Sequence, residues 1–217
     1  FNWERLAGGP IEIGTRAPLS VCRADNSTAF LATDRTVRIL RGSTPVRISQ
    51  HGMEEKVAGY ATVDDCVGFS WTWQGHIFIA MRCPTEGACW VYDVTANEWH
   101  ERASYGFTDW LVSDVQHAYG RVWVQHAVSG DVGYMDADTS TEFGGVLRRE
   151  WTYPQAYQQN ARLYHSTLEV MLRTGDAPVG AVPYIHCELS NDGGNTWLEL
   201  PKRRLGNAGE YFVMAEL

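Results

Sequence analysis

The residues of this 217-residue chain that could do chemistry are its carboxylates, histidines, cysteines and arginines. A glycoside hydrolase needs two acids facing one cleft, at a separation set by its mechanism. The candidates are Glu54-Glu55, Asp64-Asp65, and Asp136 with Asp138, and each run also has the form of solvated turn residues. A sialidase would add arginines to hold a substrate carboxylate, but Arg82, Arg121, Arg148 and Arg149 show no telling spacing. His51, His76, His100, His117, His126, His165 and His186 fall in no HxH or HExxH pattern. Without a CxxC pair among Cys22, Cys66, Cys83, Cys89 and Cys187, a zinc site is not indicated. No GxSxG elbow, GxxxxGK[ST] loop or GxGxxG turn occurs. The expectation is a chain with no catalytic residues, no metal site and no cofactor.

Two local features remain. Cys83 and Cys89 bracket Pro84-Thr85-Glu86-Gly87-Ala88 at a hairpin tip and could be bridged; the simpler reading is two reduced cysteines packed as small apolar residues. Ser190-Asn191-Asp192-Gly193-Gly194-Asn195-Thr196-Trp197 resembles the Asp box (SxDxGxTW) of sialidases and many secreted propellers. Its physics is structural: Asp192 accepts backbone N–H groups, the glycines supply positive φ, and Trp197 is expected to pack under the hairpin. A box of this kind stabilises a fold and carries no chemistry.

The elements that position these residues read as strands. Tryptophans and tyrosines abound, and long helical runs of Ala, Leu, Glu and Lys are missing. With 44% hydrophobic residues the chain can bury a core as one large domain or two small ones. A formal charge of −8 argues against a groove that wraps nucleic acid, which needs clustered Lys and Arg. No apolar run approaches the ~18 residues that span a bilayer. Phe1 is not an initiator Met and the last residues lie in a strand-like pattern, so a fragment cut at both ends is expected.

Gly75 to Arg102 is the clearest unit: a strand-like run from His76 to Met81, a loop, a second run from Cys89 to Tyr92, an Asp93 turn, then Trp99-His100-Glu101-Arg102. Similar hairpins precede it (Ala29–Ala32 and Thr36–Leu40, then Pro45–Ser49) and follow it (Val115–Ala118 and Arg121–Val124, then Val132–Asp136). Between them, 51–63 is the one place for a helical turn, with Met53, Val57 and Tyr60 on one side. Matching turns recur every 41 to 45 residues, the period of four-stranded propeller blades. The fold class expected is therefore all-β: about three blades of a partial β-propeller over 1–152, then a C-terminal β-sandwich-like or additional sheet portion over 153–217. A strand is predicted at Leu147–Thr152, closing the first portion; in the second, strands are predicted over 161–173 and at Tyr184–Leu189, with a linker at 155–159 and a loop at 174–180.

Three stretches taken together resemble the packaged-DNA stabilisation proteins of short-tailed phages, which are tail accessory or hub proteins. They are Gly14-Thr15 with Ser20 through Arg47-Ile48-Ser49 and Glu54; Gly75-His76 with Trp90-Val91-Tyr92-Asp93 and Trp99-His100-Glu101-Arg102; and Leu168-Glu169-Val170 through the Asp-box-like turn to Leu205-Gly206 and Gly209-Glu210-Tyr211. Gln50 stands where the pattern expects Thr, and Cys83 and Cys89 are unusual. The resemblance implies a non-enzymatic virion protein, made in the host cytoplasm and resident in the tail. It forms a homo-oligomeric ring below portal and adaptor, retains packaged DNA and seats the tail plug or needle. Arg47 and Glu54 are then candidate interface residues. The acidic balance suits a channel wall that lets DNA slide, with weak or no duplex binding and no membrane contact. A sialidase-like or glycan-binding propeller and a kelch-like interaction module are the alternative readings.

Overall fold

The computed structural model describes residues 11–139, 141–154, 164, 167–175, 180, 182–207 and 209–216. The fold is all-β, built of several antiparallel sheets, none of them closed among the described residues. The chain divides into two compact units, Phe1–Arg148 and Arg149–Leu217.

In the first unit, β1 (Cys22–Ala24), β2 (Ser27–Leu31), β3 (Val37–Arg41) and β4 (Thr44–Arg47) form an antiparallel meander. Helix α1 (His51–Ala58) follows, burying Met53 and Val57 as its apolar spacing predicts. A second meander comprises β5 (Val67–Trp73), β6 (His76–Cys83), β7 (Ala88–Asp93) and β8 (Glu98–Glu101). The third sheet has three strands, β9 (Val112–Ala118), β10 (Arg121–His126) and β11 (Val132–Tyr134). Gln74-Gly75 and Tyr119-Gly120 close the leading hairpins of the second and third sheets with two positive φ values each, the backbone that two-residue hairpins of matching twist require.

The second sheet is the middle layer. One of its faces sets Ile79, Met81, Trp90 and Tyr92 against Ala29, Leu31, Val37 and Ile39 of the first sheet, with α1 at the side. The other sets Phe69, Trp71, Ala80 and Val91 against Trp110, Val112, Val115, Val122 and Val124. Covered on both faces, β7 (ACWVYD) is buried along its whole length and reads as a continuous run rather than an alternation.

Residues 14–20 join the first two sheets. Thr15 Oγ1 donates to the Leu31 carbonyl at 2.6 Å, and Thr33 N–H donates to the Gly14 carbonyl at 2.9 Å. The 3-10 turn Pro18–Ser20 buries Ser20, whose hydroxyl donates to Ala17 O at 2.7 Å and accepts Leu31 N–H at 3.0 Å. That turn lies directly on β5: a Cβ on Gly68 would stand 2.0 Å from the Ser20 carbonyl oxygen. Beside it the Ser70 hydroxyl donates to the Arg23 carbonyl.

Beyond the third sheet the structure departs from the predicted strand at Leu147–Thr152. The Phe143-Gly144 turn folds the chain back at once into a short hairpin of β12 (Thr141–Glu142) and β13 (Gly145–Val146). Residues 147–152 are not part of a strand, and Trp151 lies exposed.

The described residues of the second unit make one nested series of two-stranded ladders. β14 (Glu169–Arg173) pairs with β19 (Phe212–Glu216), β15 (Tyr184–Ile185) with β18 (Arg203–Arg204), and β16 (Glu188–Leu189) with β17 (Leu198–Glu199). The predicted run Tyr184–Leu189 is broken at His186-Cys187. Facing sheets of a sandwich are not found among the described residues, because each ladder continues the same hairpin. The predicted linker at 155–159 lies outside the described residues, as do 161–163 and 165–166 of the predicted long strand and 176–179 of the loop.

Gly68→Ala is expected to destabilise the first unit by about 3 kcal/mol, since the clash is with backbone that cannot rotate away. Gly52→Ala, with open space around the new methyl group in α1, should be neutral or slightly stabilising. Urea midpoints of the two variants check the contrast; equal, small effects would contradict the close approach.

Candidate functional site

The residues singled out in the sequence gather at two places, the second sheet with its neighbours and the tip of the second unit's hairpin. On the face towards the first sheet, the aromatic side chains each have a polar partner. Trp90 Nε1–H donates to Tyr60 Oη at 3.1 Å, Trp99 Nε1–H to the Ile48 carbonyl at 2.7 Å, and Tyr92 Oη to Asn97 Oδ1 at 2.6 Å. Tyr92 and Trp99 pack ring to ring at 5.0 Å. Lys56 of α1 lies over the Trp90 ring and pairs with Glu101 at 2.9 Å. Arg47 reaches Glu54 with Nε donating to Oε1 at 2.6 Å, and Ser49 Oγ adds a bond to the same oxygen. Burial works to raise the Glu54 carboxyl, but the Arg47 and Ser49 bonds outweigh it and hold it below the usual range. Arg47 keeps half of its side chain in solvent while Glu54 is mostly covered.

At the hairpin end of the same sheet, beside Gly75, His76 Nδ1 stands 2.6 Å from Asp93 Oδ2. The other carboxylate oxygen accepts Thr95 N–H at 2.8 Å and Ala96 N–H at 3.1 Å, closing the β7–β8 turn. Burial pushes Asp93 up; Ala96, His76 and Thr95 together bring it below the ordinary value. Burial, helped by the nearby Arg102 charge, lowers the pKa of His100, favouring neutral imidazole. The Arg102 guanidinium lies 4.6 Å from the Trp110 ring centroid and 5.4 Å from that of Trp71, bridging the second sheet to the third.

One pair escaped the sequence reading. Arg82, one residue from the end of the apolar strand β6, forks onto Asp109, with Nε 3.0 Å from Oδ2 and both side chains nearly buried. An arginine inside IFIAMRC was the available signal, because a buried charge needs a partner; nothing local pointed to Asp109.

The candidate acids do not converge. Asp64 pairs with Arg16, Asp65 Oδ2 accepts Thr85 N–H, and Asp136 Oδ1 accepts Asp138 N–H. An open cleft of about 530 Å³ between Thr72–Gln74 and β10–β11 includes Arg121, Asp136 and His117 in its lining. Strand alternation turns Val122 and Met135 to the core, so Arg121 points to the opposite face, where it stacks on Tyr134 at 4.1 Å. His117 Nε2 accepts Thr72 N–H at 3.0 Å. Among the described residues no three His, Cys, Asp or Glu side chains group as metal ligands, and no helix is long and apolar enough to cross a membrane.

Cys83 and Cys89 are not bridged. Cys83 is paired with Ala88 and Cys89 with Arg82, so their side chains leave opposite faces of the sheet and enter different cores. A bond between them would have to pass through the sheet.

In the second unit, the Asp-box-like turn joins β16 to β17. Asp192 Oδ1 accepts Thr196 N–H at 2.8 Å and Oδ2 accepts the Thr196 hydroxyl at 2.6 Å, while Gly194 N–H reaches Ser190 Oγ at 2.8 Å. Trp197 does not pack under the hairpin as expected. It folds back over the turn, donating Nε1–H to Gly194 O at 3.1 Å, and stays half exposed because a two-stranded ladder offers no layer beneath.

No protein-family model matches the sequence, and a search of curated proteins returns no match.

The Thr196 hydroxyl and N–H, then the Ser190 hydroxyl, hold the Asp192 carboxyl at about 2, below the ordinary value near ~3.9. A depressed folded-state pKa stabilises the turn above about pH 4, and that stabilisation is lost as pH falls through about 2. A carboxyl NMR titration should give Asp192 a midpoint near 2, moving upward in Thr196→Val; an unshifted midpoint in the native chain contradicts the bonding described.

Proposed function

We propose that this chain is a virion structural protein of a short-tailed phage, a wall piece of the tail hub that helps retain packaged DNA and seats the plug or needle. In this reading it assembles as a homo-oligomeric ring below portal and adaptor, is made in the host cytoplasm, and acts without catalysis or cofactor. The observation that carries the reading is where the motif residues behind the resemblance are engaged. Trp90, Tyr92, Trp99, Glu101 and Arg102 bind neighbouring sheets, the adjacent turn and α1, and His76 with Asp93 closes a turn. They make a wall rigid, and none of them lines the cleft between Thr72–Gln74 and β10–β11.

The layered sheets support the architectural half of the proposal. Their first strands start at Cys22, Val67 and Val112, 45 residues apart each time, and two of the three sheets are four-stranded meanders. We read them as β-propeller blades, which repeat at about this period and stack face to face. The acidic balance supports a mechanical role in DNA retention over a phosphate grip.

Electron microscopy of the full-length protein mixed with a portal–adaptor complex tests the proposal. Added ring density below the adaptor is the expected result. A full-length protein that folds but never associates with the complex overturns the hub assignment and leaves a cellular interaction module of kelch type as the better reading.

A further inference from the structure

The cysteine that faces Cys83 is Cys66. The β5–β6 ladder runs in unbroken register from Trp73↔His76 to Val67↔Arg82, and the next position along it sets Cys66 opposite Cys83. Both side chains are buried in the same core, between the first and second sheets. Residues opposite one another in an antiparallel pair have Cα atoms about 4.5–5.5 Å apart, inside the span a disulfide bridges. Cys89 lies on the other face, and Cys22 is held on β1 opposite Ala29.

We propose that Cys66 and Cys83 are a disulfide-forming pair, an oxidation site that fastens β5 to β6 at the end of the ladder far from its Gln74-Gly75 turn. The oxidant is a low-molecular-weight disulfide. One cysteine thiolate attacks it, releasing one small thiol and leaving a mixed disulfide. The second cysteine, losing its proton, attacks the protein-side sulfur and releases the other small thiol. Two thiol protons and two electrons leave the protein, one S–S bond forms, and the oxidant departs as two thiols.

The fold also sets when this can happen. The hydrogen bond to Cys83, with burial adding to it, pushes the Cys66 thiol up, and both sulfurs are closed off from a dissolved oxidant in the packed core. Oxidation therefore belongs to folding or to opened molecules, and the folded dithiol resists it. The bridge would enclose a loop of sixteen intervening residues, constraining the unfolded chain. This inference is independent of the hub proposal.

The chain is refolded from denaturant with a mixture of oxidised and reduced glutathione, then digested under acid and mapped by mass spectrometry. The expected product joins the Cys66 and Cys83 peptides, keeps its native near-ultraviolet spectrum, and melts about 5 °C higher than the reduced chain. Cys66→Ala should abolish the linkage and Cys89→Ala should leave it intact. The proposal is overturned if both thiols remain free, if the linked pair includes Cys89 or Cys22, or if the bridged chain has lost its native spectrum.

Discussion

The first unit depends on the close approach of one backbone to another at Gly68. The Ser20 carbonyl sits where a side chain on β5 would begin, so the first sheet can come within packing distance only because that residue has no Cβ. The approach would be costly if it stranded polar groups. It does not, because the Ser20 hydroxyl links Ala17 O to Leu31 N–H and the Ser70 hydroxyl takes the Arg23 carbonyl. With the seam closed, Ile79, Met81, Leu31 and Ile39 meet in a core from which water is excluded.

From that seam the chemistry of the second sheet follows. Both of its faces are covered along the middle of the sheet, so the polar and charged side chains buried there need partners within the protein. The indoles of Trp90 and Trp99 find Tyr60 and the Ile48 carbonyl, Arg82 finds Asp109, and Arg102 rests on two indole rings. His76 with Asp93 closes the turn after β7, and Arg102 joins the second sheet to the third. A polar residue in such a layer stabilises the fold only while its partner is present, which ties the sheets together in specificity as well as in area.

The strands, the short helix and the hairpin turns were legible because alternation, Gly-containing turns and amphipathic spacing are local signals. Gln74-Gly75 marks its hairpin without help from the rest of the chain, and Met53 with Val57 marks the buried side of α1. The Asp-box-like turn was legible for the same reason. What escaped was non-local. Nothing near Gly68 announces Ser20, nothing near Arg82 announces Asp109, and the proximity of Cys83 to Cys89 in sequence hid the alternation that separates them and brings Cys66 opposite instead. The predicted strand at Leu147–Thr152 failed on the same ground, since apolar residues make a strand only where another strand accepts their hydrogen bonds.

The central physical claim is that the three sheets of the first unit form one cooperative body closed at the Ser20–Gly68 seam. Native-state hydrogen exchange in increasing low denaturant tests it most directly, following the amides of Leu31, Ile79 and Val124, one from each sheet. The account predicts that all three converge on one opening free energy, that of global unfolding. Exchange of Leu31 through a separate, much lower-energy opening while Ile79 stays protected would contradict it.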